Sequence, residues 1–183
     1  MSRTSPVTQV VAIGIGAALF IVLGLLRIPS PVPNTSINLQ YAVLAVFAVL
    51  YGPLAGFLIG LIGHMLFDAL IGGGVWVSWE LASGVFGLVV GLAMLRAAIH
   101  EGEFGTATAI RFTVSVVVAH ALAWLLVAPL GDILIYAEPA DKVFVQGAFA
   151  FGANTIVTCV LGTIILAVYA RTRTRTGSLT VGS

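Results

Sequence analysis

The sequence predicts an all-α fold: a polytopic membrane protein, built as a compact bundle of six transmembrane helices with both termini in the cytoplasm. Three observations predict it. First, 60% of the 183 residues are hydrophobic and only 8% are charged, with a mean hydropathy of +1.13. A soluble domain carries about 25% charge, so this chain cannot cover a water-facing surface, whereas lipid tolerates an apolar exterior. Second, turn and loop signals cut the chain into six apolar stretches, and a helix needs about 20 mostly apolar residues to cross a bilayer. Third, the basic residues divide unevenly between the two ends that six crossings define.

The first helix is expected from Val7 to Ile28. A signal peptide would show a short apolar core and a small-residue cleavage site. Here the apolar run continues to Leu26 and meets Arg27 and Pro29, so it reads as a retained helix. Pro29, Pro31 and Pro33 stop it, and Asn34 to Asn38 reads as a polar loop. The second helix, Ile37 to Leu50, is short. Tyr51-Gly52-Pro53 is a turn signal, and a third helix follows from Pro53 to Leu70, ended by Gly72-Gly73-Gly74. The fourth runs from Trp76 to Leu95. Arg96 to Arg111 is the most polar connection. The fifth runs from Phe112 to Pro129, Gly131 to Lys142 reads as a loop with three acids, and the sixth spans Val143 to Tyr169. Residues 1–170 thus form one transmembrane domain, and the Arg/Thr/Gly/Ser-rich residues 171–183 a short disordered cytoplasmic tail. No internal repeat is visible.

Orientation follows from the basic residues, which favour the cytoplasmic side. Arg3, Arg96, Arg111, Arg171, Arg173 and Arg175 fall on the side of the termini, and Arg27 and Lys142 on the other. That places Asp68, Glu80, Asp132, Glu138 and Asp141 at or near the external face. Small residues recur at four-residue spacing in Gly52, Gly56 and Gly60, and in Gly87 and Gly91. Such spacing lets helix backbones approach where lipid offers no hydrophobic drive for association. The first helix repeats the spacing twice, in Ala12 with Gly16 and in Gly14 with Ala18. That surface serves either internal packing or a partner protein.

Polar groups inside a membrane are costly and need a reason. His64 and Asp68, four apart on one face of the third helix, read either as a ligand-binding pair open to the outside or as a mutual hydrogen bond. His120 with Trp124 has the same spacing and favours a structural bond. Gln146 and Asn154 read as interhelical glue or ligand contacts. Trp76, Trp79 and Glu80 cluster at the outer start of the fourth helix, where tryptophan is commonly an interface anchor and could also stack on a flat ligand. Asn34, Asn38, Gln40 and Tyr41 add hydrogen-bonding groups at the same end. Apolar walls with a few polar groups are the usual form of small-molecule pockets.

Other chemistries are excluded or weak. A net charge of +1 makes no electrostatic case for nucleic acid. The single Cys159 cannot form an intrachain disulfide. There is no Walker A loop, no HExxH, no cysteine cluster and no Gly-x-Ser-x-Gly. Gly14-Ile15-Gly16 opens no strand–helix unit and is no dinucleotide fingerprint. His64, Asp68 and His120 form at most a loose divalent-metal set.

Several stretches carry a family resemblance: Ala12 to Ala18, Pro33 to Asn38 with Gln40-Tyr41-Ala42, Tyr51-Gly52-Pro53 through to His64 with Asp68-Ala69, and Trp76 to Trp79 with Ala82-Ser83-Gly84. The chain resembles the substrate-binding S components of energy-coupling factor (ECF) vitamin transporters, in a poorly characterised riboflavin-type branch. The resemblance spans nearly the whole chain and is densest from Ala12 to Gly91. It implies a non-enzymatic six-helix membrane subunit that captures a vitamin or related micronutrient, riboflavin-like foremost, at the outer face. It implies docking on a transmembrane coupling subunit that carries two ABC ATPases, through the small residues of the first helix, either Ala12 and Gly16 or Gly14 and Ala18. The expected ligand-binding set is Asn34, Asn38, Gln40, His64, Asp68, Trp79, Glu80 and Asn154, with no cofactor and no resident metal. The rival readings are a stand-alone channel or secondary transporter, a metal-ion S component, and an intramembrane enzyme on His64, Asp68 and His120. Channels and secondary transporters often show two related halves, and the enzyme reading lacks a nucleophile.

Overall fold

A computed structural model describes residues 5–71 and 74–173. Gly72 and Gly73, and all but the first three residues of the predicted tail, lie outside the described residues. Among the described residues, six helices make up the bundle. Helix α1 is Pro6–Gly24. The Ser5 hydroxyl caps it by accepting the Thr8 N–H at 3.1 Å, and Pro6 occupies the first turn, where a missing N–H costs nothing. The helix ends at Gly24, short of the expected Ile28. A residue before proline is steered to extended backbone, and Ile28–Pro29 (β1) pairs antiparallel with Ser36–Ile37 (β2). The predicted polar loop is therefore a small hairpin, and α2 starts only at Gln40, running Gln40–Tyr51.

Gly52, with φ of 91°, makes the tight turn into α3, Pro53–Ile71. Helix α4 is Val77–Ala93, and a 3-10 turn, Ile99–Glu101, follows. Helix α5 runs Thr106–Tyr136, well beyond both expected ends. Pro129 is the expected end, because proline lacks an N–H and its ring crowds the preceding turn. The structure carries the helix through that residue by widening the preceding turn: α-helical Thr106–Ala121 passes into a π-helical segment, Leu122–Val127, and then into α-helical Ala128–Tyr136. The expected loop from Gly131 shrinks to the residues between Tyr136 and Ala140. Helix α6 is Ala140–Arg171.

By length and composition, α1, α3, α5 and α6 can each cross a membrane, and α2 and α4 are shorter apolar helices. At 1.5 Å per residue, α2 is about 18 Å long, less than the about 30 Å hydrocarbon core. The hairpin continues the chain where α2 begins. The helix flanks expose large apolar side chains such as Val10, Val114, Leu134, Ile156 and Val168, as suits a protein whose surroundings are lipid.

Helix α3 packs on α4 through its glycines. A Cβ at Gly56 would lie 2.5 Å from the Gly87 carbonyl oxygen, and one at Gly91 2.5 Å from the Pro53 Cα. On its other side α3 meets α1, and α2 touches α1, α3, α4 and α6. Buried Tyr41 of α2 is the centre of the aromatic core. Its ring lies edge-on to Phe20, Phe86, His120 and Trp124, with centroids 5.3–5.8 Å apart.

Candidate functional site

One end of the bundle gathers the hairpin, the end of α3, the start of α4, the end of α5 and the start of α6. Between them lies a cavity of about 600 Å³, within the range of about 300–1,000 Å³ usual for small-molecule sites. Of the residues expected in a site, Asn34, Asn38, Gln40, His64, Asp68, Trp79 and Asn154 line it. Glu80 does not. It is buried at the start of α4, where its carboxylate accepts the Trp76 backbone N–H at 3.0 Å. An acid there serves the orphan donors of the helix N-terminus, which is its local reason for being in the first turn.

His64 and Asp68 sit on one helix face, with Nε2 and Oδ2 3.7 Å apart. The other ring nitrogen of His64 is 2.7 Å from the Ser83 hydroxyl, which is 3.2 Å from the Tyr41 hydroxyl and donates to the Trp79 carbonyl at 3.1 Å. The pair is thus anchored on α4 through one serine, while Asp68 stays half-buried at the cavity. His120 is a core residue. Its Nδ1 accepts the Trp124 indole N–H at 2.7 Å, so Nε2 carries the proton and faces the Thr158 hydroxyl at 3.1 Å.

The hairpin is tied to α6. Buried Asn154 accepts the Asn38 backbone N–H at 2.7 Å, and Gln146 donates to the Pro33 carbonyl at 2.9 Å. Asn34 adopts φ of 58°, a conformation asparagine tolerates better than most residues, and so turns the hairpin. Gln40 Oε1 is buried without a hydrogen-bond partner among the described residues.

Asp132, in sequence part of the loop expected from Gly131, is a site residue in the structure. On the extended α5 it is buried at the cavity and accepts from the Trp76 indole at 2.7 Å, the Trp79 indole at 2.8 Å and the Ser78 hydroxyl. Its signal was an acid flanked by the apolar runs Trp124–Leu130 and Ile133–Tyr136. Arg27, over the Phe67 ring at 5.7 Å, and Lys142, paired with Glu138 at 2.6 Å, also line the cavity. Among the described residues, no three histidine, cysteine or acidic side chains group in a way that could hold a metal.

The four small residues of α1 divide between two faces. Ala12 and Gly16 are buried, and a Cβ at Gly16 would come 2.5 Å from Ile59 Cδ1. Gly14 and Ala18 lie on the exposed face, with nothing within 4 Å of a Cβ at Gly14. The Ala12–Gly16 register thus packs inside the bundle, and of the two small-residue pairs Gly14–Ala18 is the one on the exposed face.

An apolar bundle with a polar-lined cavity at one end agrees with the comparison to known proteins. The profile of the family described as ECF-type riboflavin transporter, S component, matches residues 5–171. The chain belongs to that family. A UPF0397 protein of Streptococcus gordonii is 54% identical over 96% of this chain and 95% of its own length. UPF0397 proteins of Lactococcus lactis subsp. cremoris and Streptococcus pneumoniae are each 51% identical, covering 97% and 94% of this chain and 98% and 95% of theirs. The ECF S component family is one of transporter subunits and not of enzymes, and this member is a membrane protein with multiple apolar helices.

Proposed function

We propose that this S component captures a flat, riboflavin-like micronutrient in the cavity between the hairpin and α3–α6, at the external face. It delivers the ligand through a transmembrane coupling subunit driven by two ABC ATPases. The observation that carries the reading is the cavity itself: Trp79 and Trp124 on one wall, and Asn34, Asn38, His64 and Asp68 as polar groups around it. The six-to-two division of basic residues supports a cytoplasmic place for both termini, with six crossings, and an external place for the cavity. Residues 1–170 form the binding domain in this reading.

Mass spectrometry of small molecules released from the purified protein tests the substrate directly. Riboflavin should quench tryptophan emission on titration, and Asp68→Asn should weaken its binding about tenfold, as expected for losing one charge-assisted hydrogen bond. Wild-type protein that neither carries nor binds a flavin defeats the riboflavin assignment. Unchanged affinity in Asp68→Asn removes that residue from the site.

The coupling subunit docks, in this proposal, on the exposed Gly14–Ala18 face of α1, where small residues permit backbone approach. Ala18→Trp should abolish copurification with the coupling subunit and leave the folded yield intact. Ala12→Trp should instead lower the folded yield, because Ala12 is only 4% exposed. Normal assembly by Ala18→Trp places the docking surface elsewhere.

A further inference from the structure

The chain has three tryptophans, and each has its indole N–H engaged by the protein. Trp124 donates to His120, and Trp76 and Trp79 donate to the two oxygens of one carboxylate, Asp132. Asp132 is 2% exposed, and its third donor is the Ser78 hydroxyl. Every group bonded to it is neutral, and among the described residues it has no ion-pair partner. Two features make such a buried acid tolerable. Hydrogen bonds to an ionised acceptor are the stronger kind, and the carboxylate lies against the first turn of α4, whose N-terminus favours negative charge. Gly131 permits the approach: a Cβ there would come 2.6 Å from Ser78 Cβ. Around this centre Trp76 stacks on Tyr136 with centroids 4.1 Å apart, and Trp79 lies 5.2 Å from Trp124.

We propose that Asp132 is the positioning residue of the binding site: it fixes Trp76 and Trp79 with their N–H edges turned into the protein, so that this wall offers a ligand ring surface and no hydrogen-bond donor. The proposal rests on the cavity being the ligand site. A wall of this kind selects for flatness, and leaves recognition of the ligand's polar edge to the hairpin asparagines, His64 and Asp68. A carboxylate that merely pins α5 to α4 would have no such effect on the ligand.

The test uses full-length protein labelled with ¹⁵N at the indoles, in detergent. In the wild type the Trp76 and Trp79 indole N–H signals should be protected from exchange, and should stay protected when riboflavin is added. Asp132→Asn can accept on only one oxygen. It should release at least one of these two indoles, leave the Trp124 signal in place, and weaken riboflavin binding about tenfold. Signals that all move together, or do not move, overturn the proposal, as does unchanged riboflavin affinity alongside freed indoles. If Asp132→Asn does not fold, the wild-type measurement still decides: exposed indole N–H groups, or N–H groups that riboflavin takes over, overturn it. Wild-type protein with protected indoles but no riboflavin binding defeats the substrate assignment instead, and leaves Asp132 as the holder of the wall.

Discussion

Gly87→Leu should abolish folded protein. At this position α4 crosses α3 with backbone against backbone. A Cβ at Gly87 would overlap the Gly56 carbonyl, with Gly56 C at 2.5 Å, and a Cβ at Gly56 would meet the Gly87 carbonyl oxygen at 2.5 Å. Ordinary carbon contacts lie at about 3.5–4.0 Å. Overpacking that side chains can relieve costs about 1–3 kcal/mol. Here the obstruction is main chain on both helices, which cannot rotate aside, so the pair must separate. Separation also loosens Gly60 against Ser83 and Gly91 against Pro53, the other close approaches along the same seam. No hydrophobic drive pushes helices together in lipid, so the lost contacts are not recovered elsewhere. Gly152→Leu is the matched control, with the same added volume and nothing within 4 Å of its Cβ. Size-exclusion elution and melting in detergent should show Gly152→Leu near wild type and Gly87→Leu aggregated or absent. A monodisperse Gly87→Leu with wild-type melting would show that the α3–α4 seam is not the contact described.

The seam was readable in advance, because glycines at four-residue spacing have one strong physical use in a membrane. The six apolar stretches were readable for the same reason: lipid imposes composition and length. The first loop and the helix ends put Asn34, Asn38, Gln40, His64, Asp68 and Trp79 at one end of the bundle by sequence alone, whereas Asn154, well inside the sixth helix by sequence, lines the same cavity only through the packing of α6. What escaped depended on tertiary context. Proline at 129 ordinarily ends a helix, and only the packing of a widened turn keeps α5 going. Gly147 of α6 lies against the Trp124 carbonyl in that turn, with Pro129 Cγ 3.2 Å from where its Cβ would be. Missing that continuation hid Asp132. On α1 the small-residue patterns at 12/16 and 14/18 are equivalent in sequence, and which one faces inward is decided by Ile59 and Phe47 on neighbouring helices. Glu80 looked like a site acid because it shares an end with the cavity, whereas the unpaired backbone of its own helix start claims it.

Asn154→Leu should weaken riboflavin binding about tenfold to a hundredfold while the protein still folds. Asn154 is 1% exposed on α6, and its side-chain oxygen accepts the Asn38 backbone N–H from a residue 116 positions earlier. That bond and the one from Gln146 to Pro33 hold the hairpin over the cavity. Leucine keeps the branched shape and leaves no cavity, but it leaves the Asn38 N–H without its acceptor. An unmet buried donor costs about 1–3 kcal/mol, and the hairpin can escape that cost by swinging away from α6. The α3–α4 seam and the Tyr41 cluster, which hold the bundle beneath, do not include this bond. The cost therefore falls on the closed site, and a free-energy loss of that size is about tenfold to a hundredfold in affinity. Asn154→Asp keeps an acceptor for Asn38 and should restore most of the binding. If Asn154 acts instead by touching the ligand with its amide N–H, Asn154→Asp should fail as badly as Asn154→Leu. Hydrogen exchange at the Asn38 amide gives a readout that needs no ligand: fast in Asn154→Leu, slow in the wild type and in Asn154→Asp. Slow exchange and wild-type affinity in Asn154→Leu would show that the hairpin is held by other contacts.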